Sequence, residues 1–173
     1  MTTAVSMIFL VIGAGVMQML FPAPAAFGGA QFPFLACVVI YYALNRSTAL
    51  ALAAAFTAGF LHDTLSEIPL GYSAVCLGII GWLMGLTRDL VVTESFITQV
   101  FFGAVGAMAF TFGLYALLAG ADLVQCGFGR LFLKMIGSGI FGAVSAPPVF
   151  LAGAGLDRLL GNIETRKTLE DVE

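Results

Sequence analysis

The side chains best suited to chemistry lie in one short polar segment, residues 62–67, with the sequence His-Asp-Thr-Leu-Ser-Glu. Ile-Pro-Leu-Gly at 68–71 closes the segment. Ionisable groups close to hydrocarbon cost free energy, so those that are retained usually have a role. We consider three roles for Asp63: capping a reversal between two helices by accepting backbone N–H bonds, contacting a partner protein, or handling ions or protons. Capping is the simplest of the three.

The residues of the common catalytic sites are missing or expected far apart. His62 is the single histidine, which excludes an HExxH motif and a multi-histidine metal site. Ser138 between two glycines resembles a serine nucleophile, but its only possible base, His62, is expected on a different helix near the outer membrane edge. Two aspartates that share a proton must be adjacent, whereas Asp63, Asp122 and Asp157 fall in three separate boundary regions. We therefore predict that the chain is not an enzyme and binds no cofactor or metal.

Membrane helices must position these residues, as the composition indicates. Of the 173 residues, 60% are hydrophobic and only 10% are charged, against roughly 25% charged residues in soluble domains. So few polar groups cannot cover the surface of a soluble protein, and membrane lipids are the expected surroundings. The charges are scattered singly rather than gathered into a basic face, which excludes a nucleic-acid partner.

The first apolar stretch is long enough to cross a membrane twice. Residues 1–45 carry no charge and would span roughly 68 Å as one helix, over twice the roughly 30 Å of membrane hydrocarbon. The stretch must therefore reverse, and the two prolines and two glycines within 22–29 supply the turn. A signal peptide cleaved at Ala-Pro-Ala, residues 23–25, is the alternative. It is disfavoured because no basic residue precedes Arg46 and the apolar core is too long.

Four further uncharged windows follow, at 47–61, 68–87, 95–121 and 135–156. The first is short for a membrane span, so its helix is expected to reach His62 and Asp63 at the membrane edge. The windows are continuous rather than alternating, which favours helices over a membrane barrel. We predict an all-α, polytopic integral membrane protein with a single transmembrane domain over residues 1–173. Its six predicted transmembrane helices are 3–21, 30–44, 47–63, 69–87, 95–119 and 133–157, followed by a cytoplasmic tail at 158–173.

The basic residues predict the orientation, because cytoplasmic loops carry an excess of Lys and Arg. With six spans and cytoplasmic N- and C-termini, five basic residues lie inside and two outside, and moving the frame by one span reverses the bias. The predicted location is the bacterial inner (cytoplasmic) membrane. The inner set is Arg46, Arg88, Arg158, Arg166 and Lys167, and the outer set is Arg130 and Lys134.

Small residues recur at helical spacing in the third and fourth predicted helices and indicate close helix packing. Such stripes serve packing within the bundle or the docking of another membrane protein. In the sixth helix, Pro147 and Pro148 remove two amide donors and predict a kink. This kink is either a bend that fits the bundle or a break that lines a substrate cavity. The packing residues are Ala51 and Ala55 in the third helix and Gly78, Gly81 and Gly85 in the fourth.

Four short motifs resemble the MreD family of rod shape-determining membrane proteins. They are Phe-Pro-Phe-Leu at 32–35, Tyr-Tyr-Ala-Leu at 41–44, Gly-Phe-Leu-His-Asp at 59–63 and Pro-Leu-Gly-Tyr at 69–72. The resemblance covers about residues 30–90, and the chain length and six predicted spans also agree with it. The positions that carry the resemblance are Pro33, Gly59, Asp63 and Gly71, for which it implies structural or partner-binding roles.

The resemblance implies a non-enzymatic scaffold of the bacterial cell-wall elongation complex. The expected partners are the single-span protein MreC, the actin-like MreB, the glycosyltransferase RodA and a penicillin-binding transpeptidase. The alternative is a substrate-binding membrane subunit of an energy-coupling-factor vitamin transporter, which is also a small six-helix protein. Such subunits typically dock through an Ala-x-x-x-Ala stripe on helix 1, which is absent here because Ile8 follows Ala4 at that spacing.

Overall fold

The computed structural model describes residues 2–21, 29–66, 68–88, 95–124 and 127–159, and all regular structure within them is helical. The predicted all-α fold is confirmed for these residues. The predicted turn at 22–28, Glu67, Cys126 and the tail from residue 160 lie outside them. The helices are α1 (Thr2–Leu20), α2 (Phe34–Asn45), α3 (Thr48–Leu65), α4 (Tyr72–Thr87), α5 (Phe96–Gly120) and α6 (Phe128–Leu159).

Four of these helices, α1, α3, α5 and α6, are long and apolar enough to cross a membrane. The other two are apolar but shorter, with 12 residues in α2 and 16 in α4. At 1.5 Å per residue, they measure about 18 and 24 Å, less than the roughly 30 Å of membrane hydrocarbon. The helices are compatible with a membrane protein.

Two helices begin later than predicted because of a proline and a glycine. We expected the second helix from residue 30, but α2 begins at Phe34 after Pro33, whose φ of −87° and ψ of 53° are not helical. The Pro33 carbonyl accepts the first helical hydrogen bond, from the Cys37 amide at 3.0 Å. We expected the fourth helix from residue 69, but α4 begins at Tyr72 because Gly71 has a left-handed φ of 107°.

Helix α6 is longer than predicted and continuous. It begins at Phe128 rather than 133, ends at Leu159 rather than 157, and contains Pro147 and Pro148. A helix broken at the proline pair, one of the two alternatives above, is therefore not observed. Near the proline pair α6 packs closely against α5, since Gly103 of α5 lies so close to Gly142 of α6 that a side chain on either would collide with the other backbone.

Helix α2 lies at the centre of the bundle and packs against all five other helices. All of its residues from Leu35 to Leu44 are buried. The sequence of α2 is compatible with this position, because a helix that is apolar on every side lies either in a protein core or in lipid. The short α2 is enclosed by longer helices.

The bundle exposes apolar side chains and buries polar ones. The exposed fraction is 78% for Ile97, 59% for Phe101 and 73% for Leu151. Soluble monomers rarely expose apolar patches of this extent, whereas lipid-facing helices do so. The buried polar residues are Ser6, Gln18, Arg46, His62, Asp63, Ser73, Ser138, Ser145 and Asp157.

Most of the predicted packing residues face the inside of the bundle. Ala51 and Ala55 are fully buried, and a methyl group on Gly81 would lie 3.9 Å from the Ala55 Cβ. A methyl group on Gly85 would lie 3.8 Å from the Ala43 carbonyl of α2, but one on Gly78 would have no neighbour within 4 Å. The α3 stripe thus packs within the bundle and offers no surface for docking.

Hydrogen bonds between helices define two polar ends of the bundle. They join the last turn of α1 to the start of α2, and the last turn of α3 to the start of α4. They also join the ends of α2 and α6. We call one end the Arg46 end (Ser6, Tyr41, Arg46, Arg88 and Asp157) and the other the Asp63 end (Gln18, Pro33, His62, Asp63, Gly71, Arg130 and Lys134).

Candidate functional site

At the Asp63 end, one carboxylate holds the corner between α3 and α4. Asp63 lies in the last turn of α3 and is fully buried. Its Oδ2 accepts the Gly71 amide at 2.7 Å, and its Oδ1 accepts the Ser73 amide at 3.0 Å. The first amides of a helix have no partner within the helix, so Asp63 supplies acceptors for the start of α4. This geometry is the helix capping that we considered first for Asp63.

Two glycines allow this corner to form. Gly59 lies one turn before Asp63, and a side chain on it would collide with the backbone of Ala74. Only a residue without Cβ lets α3 and α4 approach so closely. At Gly71, the φ of 107° is strained for any residue with a side chain but ordinary for glycine. The motif residues Gly59, Asp63 and Gly71 are therefore parts of one structural unit, which we call the Asp63 corner.

His62 connects the corner to α5. Its Nδ1 lies 2.9 Å from the Ser73 Oγ, and its ring meets the ring of Phe110 edge-on with centroids 5.1 Å apart. The ring is 6% exposed. Its Nε2 makes no hydrogen bond to another described residue, and it is not among the enclosed polar atoms. His62 also lines a cavity at this end of the bundle.

The cavity has a volume of about 280 Å³ and opens at the Asp63 end among α1, α2, α3, α5 and α6. Its wall contains aromatic and aliphatic side chains, and Pro33 contributes from the start of α2. Arg130 and Lys134, which are exposed and one helical turn apart on α6, provide its positive charge. The described lining residues include no carboxylate. The apolar lining residues include Phe32, Phe110, Leu114, Leu118 and Leu131.

The cavity also brings together His62 and Ser138, which we expected far apart. Ser138 is 4% exposed, and its hydroxyl lies 2.7 Å from Thr111 Oγ1 and 3.2 Å from the Ala107 carbonyl. No hydrogen bond joins Ser138 to His62, whose Nδ1 is used by Ser73. A nucleophile and its base need such a bond. His62 and Ser138 therefore line the same cavity but do not form the hydrogen-bonded pair of a nucleophile and its base in this structure.

At the Arg46 end lies a buried ion pair that the sequence analysis missed. Arg46 Nη2 lies 3.1 Å from Asp157 Oδ2, and the two side chains are 7% and 9% exposed. The same oxygen accepts the Tyr41 hydroxyl at 2.6 Å across 116 residues of sequence. Ser6 Oγ lies 3.3 Å from the other carboxylate oxygen and 3.4 Å from the Tyr42 hydroxyl. This Asp157 cluster joins α1, α2 and α6.

Neighbouring contacts fix the Asp157 cluster in place. The Tyr41 ring packs against Gly153, where a Cβ would lie 2.7 Å from the ring, and it meets Phe150 edge-on. Arg88 of α4 donates to the Arg46 carbonyl at 3.0 Å. In the sequence, the position of Arg46 and Asp157 directly beside long apolar windows is the only indication that they could be buried. This position does not predict which charged residue pairs with which.

The described residues contain no group of three His, Cys, Asp or Glu side chains that would hold a metal ion. Asp63 and Asp157 lie at opposite ends of the bundle, as expected, and each is engaged by hydrogen bonds. The site therefore offers a capped corner, a buried ion pair and a cavity with a positive rim. The chain matches no protein-family model, no curated protein and no solved structure.

Proposed function

We propose that the chain is an MreD-like, non-enzymatic scaffold of the bacterial cell-wall elongation complex and that it binds an MreC-type single-span partner. The supporting observation is the Asp63 corner, in which Asp63 accepts the Gly71 amide and Gly59 lets α3 approach Ala74 of α4 closely. The fourth motif position, Pro33, starts the central helix and lines the adjacent cavity. A carboxylate engaged by two backbone amides suits a rigid frame better than it suits proton transfer.

The proposal includes six spans, cytoplasmic termini and insertion in the bacterial inner membrane. Among the described residues, Arg46, Arg88 and Arg158 lie toward one end of the bundle, while Arg130 and Lys134 lie at the other. The excess at the Arg46 end supports its cytoplasmic location. The short helices α2 and α4 are accommodated because the longer helices flank them, and a shorter helix is tolerated by local thinning of the bilayer.

Labelling of Cys126 tests this orientation. The outer loop that follows α5 contains Cys126, so an impermeant maleimide added to intact spheroplasts is expected to label it. Cys37 and Cys76 are buried and provide an internal background, and the Cys126→Ser variant is the control. Labelling of Cys126 only after the membrane is opened would reverse the proposed topology.

Co-purification tests the scaffold function. The tagged chain is expected to retain an MreC-type protein from the same bacterium through mild detergent, together with MreB, RodA or the penicillin-binding transpeptidase under gentler conditions. Depletion of the chain is expected to turn rod-shaped cells into spheres. The control is an unrelated six-span protein with the same tag. Normal rods after depletion, with no MreC-type protein retained, would contradict the proposal.

The cavity is the observation that favours the alternative, a substrate-binding subunit of a vitamin transporter. Such a function needs a pocket inside the membrane bundle, and polar groups do line this one. It also needs a docking stripe of small residues, but Ala51 and Ala55 are fully buried within the fold. Retention of a vitamin by the purified chain, at one molecule per chain, would support the transporter function over the scaffold.

A further inference from the structure

The cavity at the Asp63 end combines a positive rim with a largely apolar wall. Arg130 and Lys134 form the rim, and neither makes an ion pair with a described carboxylate. Basic side chains at helix ends often extend toward water simply to remain solvated. These two also line the cavity, so their positive charges act on whatever occupies it.

Two buried side chains add polar groups to the cavity wall. His62 is 6% exposed, and its Nε2 makes no hydrogen bond to another described residue. Gln18 is 8% exposed, and its Oε1 accepts the Leu35 amide at 3.4 Å. The contact with Ser73 leaves the tautomer of the His62 ring open, so Nε2 is available as a donor or an acceptor to a polar group in the cavity.

We propose that this cavity binds an anionic phospholipid, with the phosphate between Arg130, Lys134 and His62 and the start of an acyl chain against the apolar wall. Arginine and lysine are the usual phosphate-binding side chains, and basic pockets between membrane helices bind lipid head groups. The aromatic and leucine side chains of the wall match a hydrocarbon chain. This inference does not depend on the scaffold function.

The size of the cavity supports part of a lipid as its occupant. Its volume of about 280 Å³ is near the lower end of the range of roughly 300–1,000 Å³ that is typical of small-molecule pockets. A phospholipid needs only its head group and upper chain enclosed, because the remainder stays in the bilayer. At the floor, the Thr111 and Ser138 hydroxyls bond each other, so an apolar chain above them leaves these two groups satisfied.

Native mass spectrometry of the full-length chain tests the proposal. The detergent-solubilised protein is incubated with phosphatidylglycerol, phosphatidylcholine or inorganic phosphate and then washed. The number of molecules that remain bound per chain is read from the mass spectrum. We expect about one phosphatidylglycerol per chain and little phosphatidylcholine. Exchange of both rim cations, Arg130→Gln with Lys134→Gln, should weaken phosphatidylglycerol retention by about thirtyfold, since each cation near an anionic lipid contributes roughly fivefold to binding.

Arg158→Gln is the matched control, because Arg158 is an exposed cation on the same helix at the opposite end of the bundle. It is expected to leave retention unchanged. Both altered rim residues are also exposed, so the double variant should fold, and its melting curve verifies this. Equal retention of the two lipids, or full retention by the rim variant, would overturn the proposal. Tight binding of inorganic phosphate without retained lipid would overturn it in favour of a free anion.

Discussion

Asp157→Ala is expected to destabilise the protein by about 3 to 5 kcal/mol, the usual loss when one member of a buried ion pair is removed. The variant takes away the carboxylate that Arg46 and the Tyr41 hydroxyl contact, while both side chains stay buried. Buried polar groups that lose a partner pay their full desolvation cost. The measurement is the free energy of unfolding in mixed micelles, with a denaturing detergent as the titrant.

A double variant separates the ion pair from general damage to the helix. Arg46→Met with Asp157→Asn removes both charges but keeps an acceptor for Tyr41. It should therefore recover a large part of the stability lost in Asp157→Ala, and the double-mutant cycle gives the coupling between the two residues. Arg158→Ala, an exposed neighbour, should change stability little. If Asp157→Ala unfolds at the same detergent concentration as the wild type, the Asp157 cluster makes no measurable contribution to stability.

The Asp157 cluster is also expected to set how α1, α2 and α6 are joined. Helix α6 is distant in sequence from α1 and α2, and the cluster links all three helices through polar contacts. In lipid, hydrophobic burial does not drive helices together, so polar contacts and close packing carry more of the association. Proteolysis or hydrogen exchange of Asp157→Ala should therefore show loosening of α1 and the end of α6 before the Asp63 corner opens.

Asp63→Ala is expected to cost about 3 to 6 kcal/mol of stability, because two hydrogen bonds to a charged acceptor are lost and each is worth roughly 1.5 to 3 kcal/mol. The Ser73 amide, which belongs to a fully buried residue, would have no acceptor side chain. Asp63→Asn keeps one acceptor oxygen, so its loss should be about half as large. The same detergent titration measures both variants, and Thr64→Ala, which alters an exposed neighbour, is the control.

Co-purification of the partner distinguishes the three roles considered for Asp63. If Asp63 acts as a cap, loss of stability and loss of the MreC-type partner should occur together, with Asp63→Asn between the wild type and Asp63→Ala. If Asp63 contacts the partner directly, binding should fall while the unfolding curve stays at the wild-type position. If it handles ions or protons, Asp63→Asn should abolish function while stability and partner binding remain. The capping geometry supports the first outcome.

The Asp63 corner and the Asp157 cluster differ in how far sequence alone can predict them. In the corner, the carboxylate and the amides that it caps lie within about ten residues of one another. Local turn chemistry, with Pro69 and Gly71, therefore indicates the cap. In the cluster, Tyr41 and Asp157 are separated by 116 residues. Many pairings of distant charges are compatible with one sequence, and only helix packing selects among them.

The start of α2 and the continuity of α6 are two further features that local sequence patterns do not predict. Apolar windows indicate where helices lie, but hydropathy cannot tell a helix from the extended residues before it. Hydropathy therefore predicts α2 from residue 30, whereas the helix begins at Phe34, directly after Pro33. In α6, the proline pair indicates a weak point, yet the close contact of Gly142 with Gly103 of α5 accompanies an unbroken helix. The continuity of α6 at the proline pair is therefore visible only in the structure.

The sequence by itself determined that this chain is helical and strongly apolar, because composition and the length of uncharged windows are properties of the chain alone. It also indicated capping as one of three roles for Asp63, whose carboxylate and capped amides lie within about ten residues of one another. Only the tertiary structure decided that α2 is the enclosed central helix, that Arg46 meets Asp157, and that His62, Ser138, Arg130 and Lys134 share one cavity. These features arise where helices meet, and their free energy depends on contacts between residues that no local pattern connects.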